Sequence, residues 1–145
     1  MSGHYSVLEA RFYSDISEAL WEGADAELKR IDATYERIFV PGVLEIPALL
    51  SMIVNSGRSN FDGHILLGCV IRGETSHYDI VANESARAIM ALATEKSLAV
   101  GNGILTVENR EQAWARARVT EKNKGGAAAK AAITMADLRQ QFGFE

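Results

Sequence analysis

The chain has 145 residues, 48% hydrophobic and 23% charged, with 15 basic against 19 acidic side chains and a formal net charge of −4. This is the composition of an ordinary soluble globular domain. It offers no basic field for nucleic acid, no stretch near the roughly 18 apolar residues of a membrane span, and no apolar core in its first six residues for a signal peptide. Neither nucleic acid nor a membrane is therefore expected as a partner, and the cytoplasm is the expected location.

A first β-like run covers 6–10 and is followed by Arg11-Phe12-Tyr13 and by a helical pattern over 15–30, with Ile16, Leu20 and Ala24 at helical spacing. A second run, 37–40, leads through Pro41-Gly42-Val43-Leu44-Glu45 into a helix over 46–56. The third, 64–71, is almost continuously apolar, as suits a strand buried on both faces. It contains the one cysteine, Cys69, which has no disulfide partner, excludes a cysteine-based metal site and reads as a buried structural thiol. Its tail, Arg72-Gly73-Glu74-Thr75-Ser76-His77, opens a helix over 78–96. The fourth run, 98–105, is followed by Thr106-Val107-Glu108-Asn109 and by a helix over 109–117 that Asn109 can cap. An alanine-rich helix over 125–142 closes the chain, with Ile133, Met135, Ala136 and Leu138 expected to pack inward and Gly143 to stop it.

No linker, repeat or low-complexity segment divides these elements, and the only prolines, Pro41 and Pro47, bracket one short loop, so a single domain over 1–145 is expected. Strand followed by helix, four times over, predicts an α/β fold. Its four-stranded parallel sheet is doubly wound, with right-handed crossovers and helices on both faces. Ligands of that architecture sit outside the carboxyl ends of the strands, so the four strand tails are the places to look.

In the third tail, Gly73 permits a tight turn, and Glu74, Thr75 and Ser76 bring peptide N–H groups and hydroxyls to a helix start, the outline of an anion site. Thr75 or Ser76 can equally be a plain helix cap. Glu74 would repel a phosphate with its carboxylate, so its N–H is expected to face the anion and its side chain to turn away. His77 follows with an imidazole suited to moving protons near neutral pH, although a histidine at a helix start is more often a surface or capping residue. His4 and His64 lack such neighbours. Arg116 has no carboxylate one turn away on its own helix; a solvated arginine is the plain reading, and a phosphate grip the sharper one. Lys124 adds charge near the last helix or is simply solvated. Glu45, between Leu44 and Ile46, either stabilises a helix start or accepts hydrogen bonds from substrate hydroxyls, and Phe12 either joins the core or stacks on a flat heterocycle.

Taken together, Ala10-Arg11-Phe12, Val40-Pro41-Gly42-Val43-Leu44-Glu45-Ile46-Pro47, Gly68-Cys69-Val70-Ile71-Arg72-Gly73-Glu74-Thr75-Ser76-His77-Tyr78-Asp79, Gly103-Ile104-Leu105-Thr106, Glu111-Gln112-Ala113 and Asn123-Lys124-Gly125 resemble the lumazine synthase family. The resemblance runs from about 10 to 138 and implies a three-layer, flavodoxin-like fold. It implies that Phe12 stacks on the pyrimidine of a ribitylaminouracil, that Val43, Leu44 and Glu45 meet its ribityl chain, and that Cys69, Val70 and Ile71 present backbone groups to the uracil. It implies further that Glu74 and Thr75 hold the phosphate of a dihydroxybutanone phosphate, that His77 moves protons, that Arg116 reaches the phosphate from a neighbouring subunit, and that Lys124 stands near the site. The implied reaction condenses these two small-molecule substrates in the penultimate step of riboflavin biosynthesis, without metal or cofactor and with a functional link to riboflavin synthase.

The chain departs from the family's pattern at Asn102, where an aromatic residue beside the pyrimidine is common, at Leu44, which is often aromatic, and at Glu9, in a strand end that is commonly apolar. Members that build sixty-subunit shells usually carry a glycine-containing turn where this chain has Arg118-Val119-Thr120-Glu121-Lys122, and a longer N-terminus. A homopentamer with active sites at subunit interfaces is expected rather than a capsid. The alternative reading is a non-catalytic flavin- or lumazine-binding module of the same fold, which Asn102 and Leu44 allow and His77 and Arg116 oppose. A phospho-receiver would need acidic residues where Arg11-Phe12 and Arg72-Gly73 stand, and a flavodoxin a hydroxyl-rich loop in place of Arg11-Phe12-Tyr13.

Overall fold

The computed structural model describes residues 3–57 and 60–144, so Met1 and Ser2 of the segment inspected for a signal sequence lie outside the described residues. The elements follow in the order β1 (His4–Ala10), α1 (Ser14–Arg30), β2 (Thr34–Val40), α2 (Glu45–Asn55), β3 (Gly63–Ile71), α3 (His77–Glu95), β4 (Val100–Val107), α4 (Arg110–Ala117) and α5 (Lys124–Gln141). The strands form one parallel sheet in the order β2-β1-β3-β4. Strand side chains alternate between two cores. Tyr5, Val7, Ile65, Leu67 and Cys69 pack under α1, α4 and α5, while Leu8, Ala10, Leu66 and Val70 pack under α2 and α3. β3, flanked by β1 and β4, is buried over all but its last residue, which is why its sequence reads as an almost continuous apolar run.

Strand boundaries differ from expectation by two residues or more at β1, which starts at His4, at β2, and at both ends of β4. β2 starts at Thr34 because Thr34 and Tyr35 pair with His4 and Tyr5, yet as an edge strand it leaves them exposed, so no apolar alternation marks its beginning. β4 starts at Val100, since Ser97 (φ 52) and the Leu98 N–H to Ala93 carbonyl bond of 2.9 Å still belong to the turn ending α3. The helix ends follow their capping chemistry: Asn109 Oδ1 accepts the N–H of Gln112 at 2.8 Å, and Asn123, at φ 47, accepts the N–H of Gly126 at 3.2 Å. Gly143, at φ 91, terminates the last helix as expected.

On α5 the inward stripe is Gly125, Ala128, Ala129, Ala132 and Ile133, with Ala136 partly buried, whereas Met135 and Leu138 face outward, contrary to expectation. The physical reason is proximity. A Cβ on Gly101 of β4 would run into the carbonyl of Ala128, and one on Gly125 into the carbonyl of Leu20. Only small side chains fit beneath a helix that close, and the larger ones turn to its outer face.

Candidate active site

The carboxyl ends of β1, β2 and β3 open into a cleft of about 300 Å³ lined by Phe12, Tyr13, Gly42, Val43, Leu44, Glu45, Cys69, Val70, Ile71, His77 and Val81. The sheet topology assembles it. β1 lies between β2 and β3, so the turns that follow these three strands emerge side by side at one edge of the molecule.

Phe12 stands two residues after the end of β1 and is 75% exposed, touching Tyr13 edge-on with ring centroids 5.0 Å apart, so its face is not part of either core. From the second turn, Val43 is buried and anchors the loop against Ile46 and Leu50, while Leu44 is 40% exposed. The N–H groups of Glu45 and Ile46 donate to the carbonyls of Gly42 and Val43, each at 3.1 Å, which starts α2 without a side-chain cap. Glu45 is exposed rather than buried within the single chain; its carboxylate lies over Gly42, where a Cβ would come 3.1 Å from Oε1.

Cys69, Val70 and Ile71, the last residues of β3, form the cleft floor. Burial pushes the Cys69 thiol up to about 11; Arg110 pulls against the shift and Asp15 adds to it. It stays a thiol at neutral pH and packs as the sequence suggests, rather than acting as a nucleophile. His77 is the first residue of α3, exposed and facing the cleft, with Val81 one turn further on the same face. Its N–H donates to Thr75 Oγ1 at 3.3 Å, while Ser76 makes no side-chain cap bond, so of the two hydroxyls it is Thr75 that serves the helix start.

Glu74 and Thr75 are exposed in the turn preceding His77 and do not line the cleft. Gly73 has no positive φ, and a Cβ there would meet nothing, so the tight turn expected of it is not what requires a glycine. Arg72 is engaged elsewhere: its Nε donates to Glu108 at 2.9 Å, it pairs with Asp79 at 3.4 Å and it lies 4.2 Å from the centre of the Tyr78 ring, tying the β3 and β4 tails together.

Arg116, half-buried on α4, donates to the Gln112 carbonyl at 3.1 Å and forms no ion pair among the described residues. It does not line the cleft, and neither do Lys124, exposed at the start of α5, and Asn102, exposed on β4. Asn102 Oδ1 accepts the N–H of Ile104 at 2.9 Å, satisfying one donor on the free edge of the sheet. Among the described residues no cluster of three His, Cys, Asp or Glu is built to hold a metal.

Tyr13, Gly42 and Val81 line the cleft without having been singled out in the sequence. Val81 was accessible to reasoning, being four residues beyond His77 on one helix face; Tyr13 and Gly42 carried no signal beyond adjacency to Phe12 and Val43.

The family profile described as 6,7-dimethyl-8-ribityllumazine synthase matches residues 3–140. The chain belongs to the lumazine synthase family. It is similar to the 6,7-dimethyl-8-ribityllumazine synthase 1 of Rhizobium meliloti (strain 1021), 57% identical over 145 residues that cover 98% of this chain and 95% of the relative. The 6,7-dimethyl-8-ribityllumazine synthase of Agrobacterium fabrum (strain C58 / ATCC 33970) is 54% identical over 143 residues, covering 97% of each chain, and that of Sphingopyxis alaskensis (strain DSM 13593 / LMG 18877 / RB2256) is 53% identical over 140 residues with the same coverage. Membership makes the chain an enzyme of riboflavin biosynthesis with the flavodoxin-like fold of the lumazine synthases.

The departures noted in the sequence acquire local explanations in this member of the lumazine synthase family. Asn102 is a sheet-edge hydrogen-bonder, Leu44 is a half-exposed wall of the cleft, and Glu9 is a fully buried carboxylate held by Arg11 and Arg37.

Proposed function

We propose that this cleft is where the enzyme condenses 5-amino-6-(D-ribitylamino)uracil with 3,4-dihydroxy-2-butanone 4-phosphate to 6,7-dimethyl-8-ribityllumazine, the whole chain acting as one catalytic domain. The observation that carries the reading is the company of Phe12. A bare aromatic face stands at the mouth of a cleft whose floor is strand backbone and whose walls hold one carboxylate, Glu45, and one imidazole, His77. The pyrimidine stacks on Phe12 and meets backbone groups of Cys69, Val70 and Ile71, with Asn102 beside it; the ribityl hydroxyls meet Val43, Leu44 and Glu45. The butanone phosphate sits against Glu74 and Thr75 through peptide N–H groups at the start of α3, where the helix dipole favours an anion. The open space around Gly73 supports an approach from outside the chain.

The aromatic amine condenses with the ketone and releases water, phosphate is eliminated, and ring closure releases a second water. His77 supplies and removes the protons, a role worth about 10²- to 10⁴-fold. Holding two substrates together is worth about 7 to 11 kcal/mol, the larger share of the acceleration.

Arg116 grips the phosphate from a neighbouring subunit, with Lys124 close by, in a cytoplasmic homopentamer whose product passes to riboflavin synthase. Support for the assembly comes from Met52, Ile80 and Met90 on α2 and α3, which are 67%, 53% and 61% exposed in one chain, and from an Arg116 that forms no ion pair among the described residues. The glycine-free turn over 118–122 favours the pentamer over a shell. The test is direct: purified protein is mixed with both substrates and lumazine absorbance is followed. Product forming at a protein-dependent rate is expected, and none above the spontaneous background would end the reading.

A further inference from the structure

Phe12 is 75% exposed, and among the described residues its one ring contact is the edge of Tyr13, too little to hold the ring in place. Its orientation is therefore inherited from the short turn between β1 and α1. That turn is fastened by its neighbour Arg11. Arg11 NH1 donates to Glu9 Oε1 at 3.0 Å, and NH2 donates to Glu18 Oε1 at 3.1 Å and to the Ser14 carbonyl at 3.5 Å, so one guanidinium joins the end of the strand to the first two turns of the helix.

Glu9 is the anchor of this arrangement. It is fully buried, and Arg37 donates to it through Nε at 2.6 Å and NH2 at 3.0 Å, leaving both carboxylate oxygens engaged by two guanidinium groups. Arg37 is in turn pressed on the Trp21 ring at 4.1 Å and lies 5.1 Å from the centre of Phe39, and Arg11 lies 5.3 Å from that same ring. A buried ion network is a poor source of stability, because desolvating its charges consumes most of the attraction and an apolar cluster of equal volume does as well. What such a network supplies is direction: planar guanidinium forks fix angles that apolar packing leaves free.

We propose that Glu9 is a positioning residue. Through Arg11 it sets the orientation of Phe12, and so the affinity of the cleft for the flat ring of the pyrimidine substrate. The inference rests on the reading that the pyrimidine stacks on Phe12. Arg37 completes the network from β2, holding the carboxylate at the angle from which it can grip Arg11.

Steady-state kinetics of the intact oligomer test this with Glu9→Gln, Arg11→Met and Phe12→Ala. Arg11→Met keeps the Glu9 to Arg37 pair and so leaves the buried charge partnered even if Glu9→Gln fails to fold. Both clamp variants should raise the KM for the ribitylaminouracil by about three- to tenfold, the range an aromatic stacking contact is worth, with kcat and the KM for the butanone phosphate near wild type. In the Phe12→Ala background they should add nothing, because the ring they orient is gone. A general structural role would instead move both KM values and kcat together. The proposal is overturned alone if Phe12→Ala raises the pyrimidine KM while the clamp variants do not, or if their effects add to it. If Phe12→Ala leaves that KM unchanged in an enzyme that still turns over, the stacking reading falls and the proposal with it.

Discussion

At the residue scale the cleft divides its labour between groups whose chemistry differs and whose exposure explains the difference. His77 sits exposed at a helix start, facing the cleft, whereas His64 lies in the sheet with 4% of its surface exposed and its Nδ1 2.7 Å from Ser6 Oγ. Replacing His77 by alanine should lower kcat by about 10²- to 10⁴-fold and leave the KM for the phosphorylated substrate nearly unchanged, since proton transfer is lost while the anion site is kept. Stopped or steady-state absorbance of the lumazine product measures both numbers, and unchanged rates would remove His77 from the mechanism. His64 supports a pH prediction instead. Burial, reinforced by the charge of Arg139, lowers its pKa to about 4. The unfolded chain takes up a proton near pH 6.5 that the folded chain refuses until about 4, so the stability owed to neutral His64 is complete above about 6.5 and is lost as the pH falls towards 4. The full effect is roughly 3 kcal/mol. Thermal unfolding at pH 7 and 4.5 should therefore show a steeper acid loss in the wild type than in His64→Gln, and parallel losses would contradict the assignment.

At the element scale the decisive feature is how closely α5 lies on the sheet. Gly101 faces the Ala128 carbonyl so nearly that even a methyl group has no room, and the obstacle is backbone, which cannot rotate away. Gly101→Ala should cost about 1 to 3 kcal/mol of stability, read as a lowered denaturant midpoint. Gly57→Ala, on the opposite side of the argument, meets no neighbour among the described residues and is strained by its φ of 72. The same closeness explains why α5 reads poorly as an amphipathic helix: its buried stripe is alanine and glycine apart from Ile133, and its larger residues Met135 and Leu138 face out.

At the scale of the whole molecule, the proposed reaction assigns the pyrimidine to the cleft of one chain, whereas Arg116 stands on α4 and does not line that cleft. If the phosphate grip comes from a neighbour, His77→Ala and Arg116→Ala subunits mixed and reassembled should recover activity that neither has alone, because some interfaces then pair an intact His77 with an intact Arg116. No recovery in verified mixed oligomers would place both residues in one chain's site or discard one of them. Light scattering of the wild type should return the mass of five subunits rather than sixty.

The strand–helix alternation, the nearly continuous apolar run at 64–71, the Asn109 cap and the glycine stop were legible in the sequence because each is a local preference that the fold left undisturbed. Phe12, Glu45 and His77 were nameable for a related reason: in a parallel sheet the place after a strand is also a place in space, whereas Val43, Leu44, Cys69, Val70 and Ile71 were named through the family resemblance. What the sequence could not express was anything decided by distance between segments far apart along the chain. The order β2-β1-β3-β4, the exposure of Phe12 and Glu45, the turning out of Met135 and Leu138 and the gathering of Glu9, Arg11 and Arg37 all arise from packing between elements. Propensity acts on neighbours in sequence, while burial and charge pairing act on neighbours in space, and only the folded chain determines who those are.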